Sequence, residues 1–169
     1  MTGLNNLLPK TKKVLVEICD HPNIETFTFV GGSALAVYLN HRKSEDIDLF
    51  TWKDKLSPEE VLHIFANKNI LKILNIGVKQ MDLLYDGVKI TFFAYGSDHL
   101  KMRKPLTGKI QIAELELLSA MKINTLFLRA KYRDYYDIFV LNKEKFPLWQ
   151  LFDISMKYIP GISKKLFQM

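Results

Sequence analysis

VGGSAL at residues 30–35, followed by DIDLF at residues 46–50, is the stretch that decides how this chain should fold. The β-forming residues that lead into the first segment predict a strand, which Gly-Gly breaks before a short helix. The second segment predicts another strand, in which residues i and i+2 point to the same face. Asp46 and Asp48 should therefore share one face of a sheet, while the apolar residues that alternate with them point into the core.

This spacing predicts a site for a cation and a phosphate. Two carboxylates on one face repel each other unless a cation lies between them, and a hard divalent ion such as Mg²⁺ or Mn²⁺ prefers such oxygen ligands. A Gly31-Gly32-Ser33 turn at a helix N-terminus offers backbone N–H groups and a hydroxyl to a phosphate. The simpler alternative is a solvent-facing pair of aspartates on an edge strand that follows a tight turn.

Composition restricts the class of protein. The 169 residues fit one domain, or one domain with a small helical appendage, and an apolar content of 48% is enough for a real core. No apolar run approaches the roughly 18 residues of a membrane span, so we expect no membrane partner. Residues 1–13 lack a signal-peptide pattern, and one cysteine excludes an intramolecular disulfide, so we expect a cytoplasmic location. The net charge of +6 favours phosphate-bearing partners such as nucleotides or RNA, although a solvated basic surface is the alternative.

Periodicity and breakers predict an α+β fold with a mixed β-sheet flanked by helices and a helical C-terminal part. Asp86-Gly87 is typical of a type I′ hairpin between two strands. The composition changes from strand-rich to helix-rich near Gly108, so we predict a core at residues 1–108 and a helical part at 109–169, together one compact unit. The predicted strands are 27–30, 46–51, 70–75, 79–85 and 88–95, and the predicted helices are 7–19, 34–39, 57–67, 114–129, 132–141 and 148–158.

Several motifs in this order resemble a known family. Gly32-Ser33, twelve residues and then Asp46-x-Asp48 resemble the first motif of the nucleotidyltransferase superfamily. The fuller string GGSALAVYLNHRKSEDIDLF is more similar to the AbiEii/AbiGii toxins of type IV toxin–antitoxin and abortive-infection systems. Residues 41–44 (HRKS), residues 120–122 (AMK) and residues 133–137 (RDYYD) match further pieces, so that the resemblance spans about residues 29–141.

The resemblance implies a nucleotidyltransferase-like fold and a metal-dependent enzyme that moves an NMP unit from an NTP to an acceptor. It implies Mg²⁺ or Mn²⁺ as cofactor, an RNA such as tRNA, or a protein, as acceptor, and a cognate antitoxin as a possible partner. The helical part would complete the active site. The residues implied as catalytic are Asp46, Asp48, Lys122, Asp134 and Asp137, with Asp46 and Asp48 as metal ligands; those implied in substrate binding are Gly31, Gly32, Ser33, Arg42, Ser44, Lys122 and Arg133.

One departure from the superfamily pattern leaves alternatives open. Many of these enzymes carry a third carboxylate on a later strand, but here Lys89 and Thr91 occupy the expected positions, and Asp82 is on the preceding strand. The alternatives are that one metal is sufficient for the reaction, that Asp134 or Asp137 replaces the missing carboxylate, or that the chain binds nucleotide without transferring it.

Two interpretations compete with an enzyme active site in the helical part. Arg133, Asp134 and Asp137 could form a structural set of salt bridges between helices. The C-terminal segment is rich in apolar residues, so it could dock a protein partner or pack on the chain's own core. These apolar residues are Leu148, Trp149, Leu151, Phe152 and Phe167.

Overall fold

The chain forms two compact units, Met1–Ala113 and Glu114–Met169. The computed structural model describes residues 2–66 and 71–163. All strands among the described residues belong to the first unit, and the second unit consists of helices. The division falls after Ala113 because Ile110–Ala113 is a strand paired with its neighbours in the first unit.

The first unit contains a seven-stranded mixed sheet of order β3-β4-β5-β2-β1-β7-β6. The strands are β1 (Thr28–Val30), β2 (Ile47–Thr51), β3 (Leu71–Ile76), β4 (Gln80–Tyr85), β5 (Val88–Ala94), β6 (Arg103–Thr107) and β7 (Ile110–Ala113). The pairs β2–β5 and β1–β7 are parallel, and the other neighbours are antiparallel. The predicted α+β class with a mixed sheet and flanking helices is confirmed.

The two faces of this sheet differ in burial, because along β2 and β5 buried residues alternate with residues that are half-buried or exposed. The face that carries Leu49, Ile90 and Phe92 is fully buried and forms the core. The opposite face carries Asp48 and Thr91, which are only partly buried. The described part of this unit also contains three α-helices, which are α1 (Pro9–Ile18), α2 (Gly31–Leu39) and α3 (Pro58–His63).

Local sequence rules explain several boundaries. Asp86 and Gly87 have φ values of 47° and 76°, so both adopt the left-handed conformation and the type I′ prediction is confirmed. Helix α2 begins at Gly31, two to three residues earlier than predicted, and places both glycines in its first turn. The β6–β7 hairpin was not predicted, because Pro105 and Gly108 suggested only a change of composition.

The second unit consists of α4 (Leu115–Arg129), α5 (Tyr132–Glu144) and α6 (Leu148–Tyr158), and α4 contacts both of the others. Leu151 on α6 is fully buried, which agrees with packing on the chain's own core. Leu148 and Trp149 are instead 45% and 66% exposed, and Phe167 lies outside the described residues. Within the described ranges, no helix is long and apolar enough to span a membrane.

Candidate active site

Asp46 and Asp48 lie at the start of β2, on the polar side of the sheet. Asp46 immediately precedes the strand and Asp48 is its second residue. Both are partly buried, whereas the alternating Ile47 and Leu49 are completely buried. The burial pattern therefore fits the shared face that the sequence predicts for the two aspartates.

The Asp48 carboxylate packs directly against Gly31, the first residue of α2. Val30, which precedes Gly31, is paired with Asp48 across the β1–β2 ladder. A Cβ atom on Gly31 would collide with Asp48 Oδ2, and Gly31 has a φ of +76°. Glycine is needed here for both reasons, because it tolerates the left-handed conformation and leaves room for the carboxylate.

Helix α2 consequently begins beside a carboxylate. Its N-cap residue, Val30, has no side chain that could bond to the first-turn N–H groups. The first four N–H groups of an α-helix have no partner inside the helix, and they carry the positive end of its dipole. This helix end can accept anionic oxygens, those of the protein or those of a phosphate.

The hydroxyl of Ser33 is directed into the protein rather than towards a ligand. It is 2% exposed, donates to the Asp46 carbonyl and lies 2.8 Å from Ser44 Oγ. Arg42 Nη1 donates to the same Ser44 oxygen over 3.3 Å. Ser33, Arg42 and Ser44, which the sequence suggests as substrate-binding residues, thus form a chain of hydrogen bonds that fixes the segment before Asp46.

Residues 6–11 form further hydrogen bonds with the same loop, which the sequence did not indicate. Thr11 Oγ1 donates to the Glu45 carbonyl over 2.7 Å, and Leu8 N donates to the Ser44 carbonyl over 2.9 Å. In return, Ser44 N donates to the Asn6 carbonyl over 3.0 Å. Main-chain bonds of this kind leave no signal in the pattern of residue types.

A row of polar side chains crosses three neighbouring strands at the level of Asp48. Asp48 on β2 is paired with Thr91 on β5, and Thr91 is paired with Asp82 on β4. Thr91 Oγ1 donates to Asp82 Oδ1 over 2.8 Å, and Gln80 Nε2 donates to Asp82 Oδ2 over 2.8 Å. Thr91 thus occupies the position expected for a third carboxylate, and it bonds to a carboxylate one strand further on.

Asp82 is buried, with only 8% of the residue exposed, yet its surroundings favour the charged form of the carboxyl. Burial raises the pKa of this carboxyl, but the hydrogen bonds from Thr91 and Gln80 and the charge of Lys89 outweigh it, and the net pKa is lowered. Lys89 Nζ lies 3.6 Å from Asp82 Oδ1.

In the second unit, Lys122 joins α4 to α5 through a buried cluster of charges. Its Nζ lies 3.1 Å from Asp134 Oδ1 and 2.8 Å from Asp137 Oδ2, and both carboxylate side chains are 0% exposed. Arg129 adds two bonds to Asp134, from Nε over 3.1 Å and from Nη2 over 3.2 Å. Asp134 and Asp137 are therefore part of a structural salt-bridge set, which the sequence left open, and Lys122 and Arg129 contribute cations to it. The side chain of Arg133 is exposed.

Asp134 also caps the N-terminus of helix α5, which begins at Tyr132. Its Oδ2 accepts the backbone N–H of Lys131, the N-cap residue, over 3.1 Å. Burial raises the pKa of the Asp134 carboxyl, but the hydrogen bonds from Arg129 and Lys122 overcome this effect, and the pKa is lowered. Asp134 is thus a charged anchor for the α4–α5 pair.

The donor set in the first unit fits a Mg²⁺ ion that arrives with a nucleotide. The described parts of the chain contain no group of three or more histidine, cysteine, aspartate or glutamate side chains placed to hold a metal. Mg²⁺ is commonly bound by one or two carboxylates together with substrate phosphates, rather than by a cage made wholly of protein. Asp46 and Asp48 beside the start of α2 match that arrangement.

Comparisons with solved structures support the fold. The chain is similar to a proposed nucleotidyltransferase from H. pylori, with a TM-score of 0.58 and 19% identity, over 80% of this chain and 68% of that one. It is also similar to the Megavirus polyadenylate synthase, with a TM-score of 0.54 and 9% identity, over 78% of this chain and 31% of the viral protein. At these identities the likeness shows a shared nucleotidyltransferase fold.

Comparisons of sequence point to one family. An uncharacterised protein of Aquifex aeolicus (strain VF5) is 30% identical over 145 residues, which cover 83% of this chain and 67% of the relative. Residues 13–92 match the family described as nucleotidyl transferase AbiEii toxin, type IV toxin–antitoxin system. This match contains Gly31, Ser33, Asp46 and Asp48 in the geometry described above. Over residues 13–92 the chain is similar to the AbiEii nucleotidyl transferase toxin family.

Proposed function

We propose that this protein is a metal-dependent nucleotidyltransferase that moves an NMP unit from an NTP to an acceptor. The observation that carries the proposal is the Asp48 carboxylate packed against Gly31 at the start of α2. This contact puts a metal-binding type of side chain beside a phosphate-binding type of helix end. The match of residues 13–92 to a nucleotidyl transferase family supports the same activity.

Asp46 and Asp48 would hold a Mg²⁺ or Mn²⁺ ion. When bound, such an ion neutralises the negative charge that develops on the departing pyrophosphate. The backbone N–H groups of Gly32 and Ser33 would bind the triphosphate at the N-terminus of α2. The Ser33 hydroxyl has a different task, because its bond to the Asp46 carbonyl fixes the segment that delivers the first aspartate.

Arg42 is suited to bind the triphosphate from the side of this segment. The contact of its Nη1 with Ser44 Oγ at 3.3 Å, together with the bond to the Lys43 carbonyl at 3.2 Å, fixes its guanidinium relative to the loop. A guanidinium held in this way loses less rotamer entropy when it binds a phosphate.

We propose further roles for the charged residues of the second unit. Asp134 would have a supporting role, because Lys122, Arg129 and the Lys131 N–H already occupy its oxygens. Asp137 would orient or deprotonate the acceptor hydroxyl, Lys122 would contact a phosphate, and the exposed Arg133 would bind substrate.

RNA is the acceptor that we favour. The net charge of +6 attracts polyanions. Arg103 lies over the Trp52 ring at 4.6 Å and Lys104 lies over the Tyr38 ring at 4.5 Å, so that cations and aromatic rings are combined in the first unit. Such combinations suit nucleic acids, which offer both phosphates and flat bases.

The test is transfer of label from each of four α-³²P-labelled NTPs to total RNA, tRNA and a protein pool, with Mg²⁺ or EDTA. We expect labelled RNA in the presence of Mg²⁺ only, and a loss of at least about 10³-fold in Asp48→Asn, because a ligand of the catalytic ion is removed. Asp98→Asn, at an exposed residue paired with Lys101 over 2.7 Å, is the matched control. Undiminished transfer by Asp48→Asn contradicts the proposal, and labelled protein in place of RNA rejects the RNA acceptor.

Thr91 at the position of the third acid supports one alternative, a domain that binds nucleotide without transferring it. Calorimetry with NTP and Mg²⁺ would then show binding, while no acceptor pool becomes labelled. Turnover with any acceptor rejects this alternative.

The match to the AbiEii toxin family over residues 13–92 also supports a toxin role, with a cognate antitoxin as partner. Induced expression in a bacterial host should then arrest growth, and Asp48→Asn should relieve the arrest. Equal arrest by both proteins at equal abundance would show that toxicity is independent of transfer.

A further inference from the structure

We infer that Asp82 supplies the third carboxylate of the site from the neighbouring strand. It acts through Thr91 and is a positioning residue for the cation held by Asp48. The inference rests on the proposed function, since it assumes that Asp48 binds a divalent ion. It accounts for the absence of an acid on β5, the one departure from the superfamily pattern.

The register of the sheet places the three side chains in one row. Asp48 is paired with Thr91, which is paired with Asp82, and residues directly opposite each other point to the same face. Neighbouring strands lie about 4.8 Å apart, so that the Cα atoms of Asp82 and Asp48 are separated by about 10 Å. Thr91 lies between them, and both Asp82 oxygens already accept hydrogen bonds, from Thr91 and Gln80, so Asp82 is placed to act through Thr91 rather than as a direct ligand.

The hydrogen bond from Thr91 to Asp82 determines what the hydroxyl can offer to a ligand. A threonine hydroxyl has one proton, and Thr91 donates it to Asp82 Oδ1 over 2.8 Å. The remaining lone pairs of Thr91 Oγ1 can only accept. A water molecule bound to a divalent cation is a strong donor, so a hydroxyl fixed as an acceptor is the complementary group.

Asp82 is itself held in place, as a positioning residue must be. Lys89 Nζ lies 3.6 Å from Oδ1, which is the oxygen that accepts the hydrogen bond from Thr91. Only 8% of the residue is exposed. A hydrogen bond to an ionised acceptor is shorter and stronger than a neutral one, so the Thr91 hydroxyl has one defined orientation.

The chain offers two variants that separate this function from simple support of the sheet. Thr91→Val removes the hydroxyl and keeps the branched shape. Gln80→Met removes a different hydrogen bond to Asp82 and leaves the Thr91 bond intact. If Asp82 only stabilises β4 and β5, the two substitutions should have similar effects on every property of the protein.

The experiment is titration with Mn²⁺ alone, followed by electron paramagnetic resonance of the free ion, for the full chain and its variants. We expect Thr91→Val and Asp82→Leu to weaken Mn²⁺ binding by about 10- to 100-fold, as is typical when an outer partner of a metal site is lost. Gln80→Met should stay within about threefold of the unaltered protein. Thermal unfolding of each variant confirms that the folded state is compared.

Two results would overturn the inference, and they differ in what else they affect. If Asp48→Asn abolishes Mn²⁺ binding while Thr91→Val and Gln80→Met bind alike and as tightly as the unaltered protein, Asp82 is structural and the proposed function stands. If Asp48→Asn binds Mn²⁺ as tightly as the unaltered protein, the proposed metal site fails and this inference fails with it. Thr91→Val decides the first case even if Asp82→Leu does not fold.

Discussion

The two units each contain a pair of aspartates, and the pairs differ in how deeply they are buried. Asp134 and Asp137 in the second unit have side chains that are 0% exposed, and Lys122 contacts both. Asp46 and Asp48 in the first unit are only partly buried, on one face of the sheet. The same residue type is thus found once fully buried between helices and once at a surface that a ligand can reach.

We expect the buried pair to have the larger effect on stability and the partly buried pair to have the larger effect on metal binding. Burying a carboxylate is unfavourable unless it is paired, so a buried pair that loses its cation destabilises the fold. A partly buried carboxylate keeps part of its contact with water, so its removal should destabilise the fold less. The comparison therefore separates the effects of substitutions in the two units.

The largest effect on stability should come from Lys122→Met, which keeps the length of the side chain and removes the charge between two buried carboxylates. We expect the free energy of unfolding to fall by about 3–5 kcal/mol, because both aspartates lose a buried partner. Urea unfolding followed by circular dichroism measures it. Lys157→Met, at an exposed lysine of α6, serves as control and should unfold as the unaltered protein does; a loss below about 1 kcal/mol for Lys122→Met would contradict a structural pairing.

Gly31→Ala should have an intermediate effect on stability and a specific one on the metal site. Its φ of +76° disfavours alanine by about 1–2 kcal/mol, and the new Cβ would displace the Asp48 carboxylate. Gly87→Ala is a matched control, because its φ is also +76° and its Cβ would meet only Lys10 Nζ, at 3.7 Å. Mn²⁺ affinity should fall in Gly31→Ala alone; an equal affinity in both variants would show that the contact with Asp48 is unimportant for binding.

When one aspartate of each pair is replaced by asparagine, the variant that loses more stability should be the one that loses less Mn²⁺ affinity. Asp134→Asn should lower the free energy of unfolding by about 2–3 kcal/mol, because Lys122 and Arg129 lose a charged acceptor. Asp48→Asn should change it by no more than about 0.5 kcal/mol, as expected for a partly exposed residue. Denaturant unfolding and Mn²⁺ titration of both variants provide the test, and equal destabilisation by the two would remove the distinction between the pairs.

The smallest expected effect is the pH dependence of the free energy of unfolding. Because the folded-state pKa of Asp134 is lowered, its ionisation stabilises the folded protein above the unfolded-state pKa of about 3.9. That contribution is lost as the pH falls through the lower folded-state value. The stability difference between the unaltered protein and Asp134→Asn should therefore be constant near neutral pH and shrink below about pH 4. A difference that stays constant down to pH 3 would show that Asp134 is not an ionised partner.

Local patterns predicted the fold where the sequence alone determines the geometry. The alternation around Asp48 and the left-handed Asp86-Gly87 turn depend only on neighbouring residues, and both agree with the structure. The β6–β7 hairpin was missed because its strands are short and Pro105 is unfavourable in most strand positions.

Contacts between distant strands could not be predicted. The pairing of Thr91 with Asp82 depends on the register of β4 and β5, which the residue types do not specify in advance. The bond of the Ser33 hydroxyl to the Asp46 carbonyl depends on how the loop returns to α2. The sequence left open a structural salt-bridge set that includes Asp134 and Asp137, but it did not show that Lys122 would contact both.

We expect the aspartates of β2, and not those of α5, to bind the metal. A crystal of the full chain with Mn²⁺ and a non-hydrolysable NTP would decide this, because the anomalous signal locates the ion. The expected result is an ion coordinated by Asp46 and Asp48 and by phosphate oxygens at the start of α2. A bound nucleotide whose metal lies on Asp134 or Asp137, with no ion on Asp48, would reject this assignment.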